Sequence, residues 1–266
     1  MNRAQLISEI HKKRSFLCVG LDSDKTKIPK HLLSEPDPVF AFNKAIIDAT
    51  RDYCVSYKIN TAFFEADGWM GWQSMQKVFD YIPEGILKIA DAKRGDIGNT
   101  SHQYAKAFFD TLGADAITLA PYMGNDSLAP FFEYPGHWGI VLALTSNPGS
   151  ADYEQQKVGS EFLYEVVLKN TCKLGNPENL MFVVGATKAQ EFEIVRKHAP
   201  HNFLLVPGIG AQGGSLAEVV KYGKTADVGL LINASRSIIY ASSGFDFADA
   251  AAHEALKIQV EMAGFL

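Results

Sequence analysis

Asp91, Lys93 and Asp96 lie in the stretch Ile89-Ala90-Asp91-Ala92-Lys93-Arg94-Gly95-Asp96-Ile97-Gly98-Asn99-Thr100, and their types and spacing suit proton transfer. The run Ile86, Leu87, Ile89 and Ala90 ahead of them reads as a short buried strand, so the charges begin where a strand ends. Side chains alternate along an extended segment, which puts Asp91 and Lys93 on one side and Ala92 on the other. Gly95 breaks the strand and Asp96 falls in the turn before a helix. The Lys93 ammonium can then be held between carboxylates two residues before it and three after it. A lysine that forms a Schiff base needs an apolar pocket or a neighbouring cation, whereas adjacent carboxylates favour the charged form. Lys93 is therefore expected to be a proton donor or a fixed cation. An ordinary solvated loop is the alternative for an isolated charged hexapeptide, and the position at a strand end weighs against it.

The elements that must position these groups are short apolar runs that close on polar or turn residues. They are Phe16 to Leu21 before Asp22, Cys54 to Tyr57 before Lys58, Ile86 to Ala90 before Asp91, Ala116 to Leu119, Gly139 to Leu144 before Thr145-Ser146, Met181 to Val184, Phe203 to Val206 before Pro207-Gly208, and Val228 to Ile232 before Asn233. Between them the period becomes helical. Asp37-Pro38 forms an N-cap with proline in the first helical position, leading into Val39, Phe42, Ile46 and Ala49. Asn99 or Thr100 is expected to cap a helix bearing Tyr104, Ala107, Phe108 and Leu112 and ended by Gly113. Thr187 with Gln190 and Ser215 with Glu218 read as capping boxes, and Gly175 and Gly223 as stops.

Continuous apolar strands alternating with amphipathic helices imply a parallel sheet covered by helices. About eight such units in about 250 residues match a closed (β/α)8 TIM barrel of the α/β class. The competitor is a doubly wound open sheet; no GxGxxG follows the first strand, and polar residues follow many strands rather than one switch point. With no low-complexity linker, residues 1–266 are expected to be one domain. Pro148 to Gly159 reads as a long loop at the active face.

In a barrel the chemistry sits at the C-terminal ends of the strands, so Asp22, Lys58, Asp91, Lys93, Ser146, Pro207 and the residues after Ile232 should converge. Lys58 stands in a strand flanked by Val55, Tyr57 and Ile59, where a charge is costly unless paired. Asp91 is its natural partner. The glycine-rich segment from Val206 to Gly214 lies directly before a capped helix, and Asn233-Ala234-Ser235-Arg236 follows the last strand. Exposed backbone N–H groups, a helix start and one arginine make a phosphate site where barrels usually hold one.

Composition narrows the function. The chain has 266 residues, 47% of them hydrophobic, and a formal net charge of −5. With no basic run, nucleic acid is not an expected partner, though a small anion suits a pocket where cations gather. No apolar run is long enough for a membrane span, and the amphipathic start lacks a signal-peptide pattern, so a cytoplasmic protein is expected. Cys18, Cys54 and Cys172 show no CxxC spacing and read as reduced core residues.

With these residues in view, the chain resembles the orotidine 5′-phosphate decarboxylase family, and more closely its longer bacterial subgroup. The resemblance rests on Asp91-x-Lys93-x-x-Asp96 extended as DAKRGDIGNT, with LCVGLDSD, YKINTAFFE, LTSNPGS, PGIGAQGG and SRSIIY in order along nearly the whole chain. It implies conversion of orotidine 5′-phosphate to UMP and CO2 in pyrimidine biosynthesis, without cofactor or metal, by a homodimer with shared active sites. By that resemblance Lys93 donates the proton, and Asp91 faces the substrate carboxylate and pairs with Lys58. Asp22 and Lys58 hold the ribose, Ser146 meets the pyrimidine edge, and Pro207, Gln212 and Arg236 belong to the substrate site, the last two at the phosphate. Asp96 and Thr100 reach the neighbouring subunit's site. Ser235 departs from the glycine of many relatives and raises the question of room beside the phosphate. The rival functions are a metal-dependent sugar-phosphate aldolase or decarboxylase, with Asp91 as a Mg²⁺ ligand, and a nucleotide-binding regulator without turnover.

Overall fold

The apolar runs become the staves of a closed barrel. The computed structural model describes residues 1–209 and 213–266. Strands β1 (Leu17–Leu21), β2 (Ser56–Asn60), β3 (Leu87–Arg94), β4 (Ala116–Leu119) and β5 (Trp138–Leu144) are followed by a small antiparallel hairpin, β6 (Lys157–Val158) and β7 (Glu161–Phe162). Strands β8 (Leu180–Val184), β9 (Phe203–Pro207) and β10 (Leu230–Ala234) complete the ring, and β10 pairs back onto β1 in parallel. The hairpin lies outside the barrel; its first strand falls in the segment Pro148 to Gly159 expected to be a loop at the active face, and its second lies just beyond it. The eight-stranded (β/α)8 TIM barrel is thus the observed architecture, and the open-sheet alternative falls on the β1–β10 closure.

Helices α1 (Arg3–Lys13), α2 (Pro38–Thr50), α3 (Ala62–Glu65), α4 (Gly68–Tyr81), α5 (Gly98–Lys106), α6 (Asn125–Phe132), α7 (Leu163–Thr171), α8 (Phe192–His198), α9 (Leu216–Gly223), α10 (Arg236–Ile239) and α11 (Phe247–Ala263) include the covering layer. Asp37 caps α2 by accepting from Phe40 N–H, with Pro38 first in the helix, as its sequence implies. Val39, Phe42, Ile46 and Ile47 face inward, and α2 packs on α4 and α11. Helix α1 closes the N-terminal end of the barrel. Its first turn carries an Asn2–Gln5 capping box, its Leu6 and Ile10 are buried, and the Met1 ammonium reaches Asp115, just before β4, at 2.6 Å. The opposite rim is left open. All three cysteines are free, with Cys18 and Cys54 buried.

Several boundaries differ from expectation. Strand β2 continues through Lys58 to Asn60, β3 continues through its charges to Arg94, and β10 runs two residues beyond Ile232. Neither Asn99 nor Thr100 caps α5; Ile97 holds the cap position without a side-chain bond, and both residues lie inside the first turn. Thr187 and Gln190 fall in a 3-10 turn, Ala186–Glu191, ahead of α8, whereas Ser215 does cap α9 by accepting from Glu218 N–H. Gly113, at φ +74°, follows a short π turn that ends the α5 segment.

The α3–α4 junction, which follows β2, is built on a close approach. A Cβ placed on Gly71 would lie 1.8 Å from the Phe64 carbonyl oxygen. Backbone cannot yield as a side-chain tip does, so Gly71→Ala is expected to lower stability by about 1–3 kcal/mol. Urea unfolding checks this, and an unchanged midpoint would mean the junction relaxes freely.

Candidate active site

The site grows out of an irregularity in β3. Ala90 pairs with Ile117 of β4, but the next pair is Arg94 with Leu119, so four steps along β3 match two along β4. The surplus residues form a bulge, a device that re-aims side chains at barrel rims. Lys93, within it, has φ +48°, a left-handed conformation that a side-chain-bearing residue seldom adopts. Asp91 and Lys93 do share a side, as alternation implies, but the bulge is what joins them. Lys93 Nζ donates to Asp91 Oδ1 at 2.6 Å.

Strand β2 supplies the second cation. Lys58 lies beside Ile89 in the ladder, and its Nζ donates to Asp91 Oδ2 at 2.9 Å and to Asp22 Oδ1, at the end of β1, at 3.4 Å. The side chains of Lys58 and Asp91 are only 7% and 9% exposed, while Lys93 is 49% exposed. Burial pulls the Lys58 ammonium towards neutrality, but the charges of Asp91 and Asp22 outweigh it and hold its pKa above the ordinary lysine value. Burial likewise pushes the Asp91 carboxyl up, and Lys58 and Lys93 together draw it well below the usual carboxylate range. Both oxygens of Asp91 are engaged by ammonium groups, which suits a fixed anion between cations rather than a ligand for Mg²⁺.

Around this network lies a cavity of about 310 Å³ lined by Asp22, Lys58, Asp91, Lys93, Ser146, Pro207 and Arg236 among others. Its described lining holds three cations, Lys58, Lys93 and Arg236, against two carboxylates, Asp22 and Asp91. The local balance is +1 on a chain of net −5. Strand β9 stands four places from β3 either way round the ring, so Pro207, Gly208 and Ile209 face the Asp91–Lys93 pair across the mouth. The backbone there is tight: Gly208 has φ +100°, and Gly214 N–H donates to the Gly208 carbonyl at 3.1 Å. Gln212 lies outside the described residues.

A family model described as Orotidine 5′-phosphate decarboxylase / HUMPS family matches residues 15–250. The chain belongs to that family. It is 58% identical over 266 residues to the orotidine 5′-phosphate decarboxylase of Flavobacterium johnsoniae, covering 99% of this chain and 97% of that one. It is 56% identical to that of Phocaeicola vulgatus, covering 98% of each. Among solved structures it is similar to the OMP decarboxylase of Leishmania donovani, with a TM-score of 0.81 and 39% identity over 98% of this chain and 100% of that chain.

Two residues implied by the decarboxylase resemblance do not line this cavity. Asp96 follows the end of β3, where its carboxylate accepts from Ile97 N–H at 2.8 Å, and Thr100 is exposed on α5. Other contacts of the site escaped the sequence reading. Thr118 of β4 donates to Asp91 Oδ1 at 3.0 Å; its signal was a lone hydroxyl in an apolar strand. Ser235 turns towards Asp22 and donates to its Oδ2 at 2.7 Å, while Tyr240 O–H donates to the Asp22 carbonyl at 2.9 Å. Burial pushes the Tyr240 hydroxyl up to about 12, so it stays a donor. Asn60, Thr145 and Asn147 also line the cavity, and Glu154 reaches back from the long segment to accept from Thr145 N–H at 2.7 Å.

Asp91→Asn is expected to leave Lys58 buried with only the more distant Asp22 and to cost about 3–5 kcal/mol at pH 7. Without Asp91, desolvation lowers the folded-state pKa of Lys58 below the unfolded value of about 10.4. The unfolded chain then binds more protons, and stability rises with pH towards 10. In the wild type the Lys58 pKa is raised, so its contribution is full below that unfolded value and is lost as pH climbs through the folded one. Urea unfolding of both proteins from pH 7 to 10 checks this; parallel curves would mean that Asp22 alone neutralises Lys58.

Proposed function

We propose that this protein decarboxylates orotidine 5′-phosphate to UMP and CO2 in de novo pyrimidine biosynthesis, without a cofactor, with Lys93 as the proton donor. The observation that carries this reading is the buried Asp91 carboxylate gripped by two ammonium groups in a cavity whose remaining cation, among the described lining residues, is Arg236. A metal-dependent sugar-phosphate reaction would need carboxylate oxygens that Asp91 has already committed. A binding protein without turnover has no use for so costly a buried ion cluster.

In this reading Arg236 and the segment after Pro207 take the phosphate. Asp22 and Lys58 take the ribose hydroxyls, with Ser235 and Tyr240 steadying Asp22, and Ser146 meets the pyrimidine edge. The ring carbon bearing the carboxylate then stands against Lys93. Its bond to the carboxylate breaks, CO2 leaves, and the electron pair remains in an in-plane orbital that the π system cannot delocalise. The Lys93 ammonium stabilises that developing charge and delivers its proton to the carbon, completing UMP. Water later returns a proton to the Lys93 amine. Asp91, facing the substrate carboxylate, raises the energy of the bound ground state.

The same reading makes the protein a cytoplasmic homodimer, and no helix among the described residues is long and apolar enough to cross a membrane. Asp96 and Thr100 then serve the partner's site. In support, the segments that follow the adjacent strands β2, β3 and β4 expose Trp69 and Met70 at the start of α4, Ile97, Tyr122 and Met123, and exposed apolar side chains on neighbouring segments suit a contact surface.

Two outcomes follow. Ultraviolet absorbance of orotidine 5′-phosphate should fall on adding the protein with EDTA present, and Lys93→Ala should abolish this while remaining folded; turnover within tenfold of wild type would remove Lys93 from the mechanism. Lys93→Ala and Asp96→Ala proteins, each nearly inactive, should regain roughly a quarter of wild-type activity when mixed, because about half the exchanged dimers are mixed and hold one intact site of two. Exchange verified by mass without recovered activity would place Asp96 in its own chain's site.

A further inference from the structure

Thr118 is fully buried and stands opposite the bulge, since its neighbours Ile117 and Leu119 pair with Ala90 and Arg94 while Asp91, Ala92 and Lys93 lie between. The bulge breaks the regular ladder there, so the Lys93 N–H needs another acceptor. It finds the Thr118 hydroxyl at 2.9 Å, and the same hydroxyl donates to Asp91 Oδ1 at 3.0 Å. Threonine has one proton to give. Ionised Asp91 only accepts, so that proton goes to the carboxylate and a lone pair is left for Lys93. One oxygen thereby fixes both ends of the Asp91–Lys93 pair, the carboxylate directly and the lysine through its backbone. The left-handed conformation of Lys93 costs of order 1–3 kcal/mol and persists only where its surroundings over-determine it. On the far side of the bulge Arg94 is clamped, by the Glu65 carboxylate, the Ala92 carbonyl and the faces of Tyr104 and Phe108. The Lys93 N–H itself is held by the Thr118 hydroxyl.

We propose that Thr118 is a positioning residue for decarboxylation, whose hydroxyl sets where the Lys93 ammonium stands by holding the Lys93 backbone and the Asp91 carboxylate together. This rests on the activity proposed above. Thr118 touches neither the substrate phosphate nor the ribose groups in that reading, so its loss acts on turnover and leaves KM nearly unchanged.

The test compares Thr118→Ser, Thr118→Val and Thr118→Ala at a temperature where circular dichroism shows each folded. Ser keeps the hydroxyl and should retain kcat within about threefold of wild type. Val and Ala should lose about 10–100-fold in kcat, the scale of a misplacement of about 1 Å, with KM within about threefold. If Val does not fold, Ser and Ala both lack the methyl group, and their difference isolates the hydroxyl. Equal kcat for Ser and Ala, or a loss confined to KM, overturns the proposal. A crystal structure of the Val or Ala variant gives a readout that needs no activity: Lys93 should leave the left-handed region and its Nζ should move beyond hydrogen-bond distance of Asp91. An unchanged Lys93 there overturns the proposal, whereas absence of turnover by the wild type overturns the proposed function instead.

Discussion

One carboxylate has to satisfy two ammonium groups, and the rest of the site depends on that arrangement. Asp91 and Lys58 are almost wholly buried, and an uncompensated charge at such depth is costly. Asp22 supplies the second negative charge, so Asp22, Lys58, Asp91 and Lys93 form a four-group cluster that is neutral in sum. Neutrality has a chemical consequence. Among the described lining residues it leaves Arg236 as the cation that no carboxylate of the cavity offsets, and hence a polarity across the mouth: an anion-seeking side at β9 and β10, and a balanced but highly charged side at β1 to β3.

A parallel barrel is well suited to hold such a cluster because adjacent strands bring consecutive charges into one layer. Lys58 reaches Asp91 from the neighbouring strand, and Asp22 reaches Lys58 from the next one round. Regular pleating alone does not account for Lys93, whose position comes from the break in register between β3 and β4. One register break of the barrel therefore falls at the charged group that stays half exposed. Ser235 shows the same economy on the other side. Its side chain turns towards Asp22 and the Gly20 carbonyl, and a Cβ on Gly20 would come within 2.8 Å of the Ser235 Cβ. The glycine in β1 thus makes room for the Ser235 side chain beside Asp22.

Features governed by local chemistry were legible in the sequence. The Asp37-Pro38 start of α2, the Ser215 cap of α9 and the apolar runs of the eight strands all depend on residues close together in the chain. The convergence of Asp22, Lys58, Asp91, Lys93, Ser146, Pro207 and Arg236 followed once the barrel was inferred, because that fold fixes which ends of the strands meet. What was illegible depends on partners distant in sequence. Thr118 gains its importance from a bulge in another strand, and Ser235 from a carboxylate over two hundred positions away. The α5 start was misjudged because Asn99 and Thr100 are good capping types in general, while the chain here enters the helix at Gly98 with φ +51°. Asp96 was expected beside Lys93 from spacing, but Gly95 turns the chain away, with its Cα so close to the Ala120 carbonyl that a Cβ would lie 2.8 Å from it.

The polarity of the mouth bears on how the proposed reaction is driven. Slow uncatalysed reactions can require roughly 20 kcal/mol of assistance, and a single charged hydrogen bond such as one from Arg236 to phosphate contributes about 1.5–3 kcal/mol. Remote phosphate contacts therefore cannot supply most of the acceleration unless they are converted into placement. Such conversion needs a reacting group that does not move when the substrate is pulled against it. In the proposed reaction that group is Lys93, across the mouth from β9, tethered at its ammonium by Asp91 and at its N–H by Thr118, on a bulge whose far end is held by Arg94. A flexible lysine would follow the ring carbon and spend the phosphate's binding energy on its own rearrangement. A fixed one obliges the substrate to bring the developing carbanion to a charge already in place.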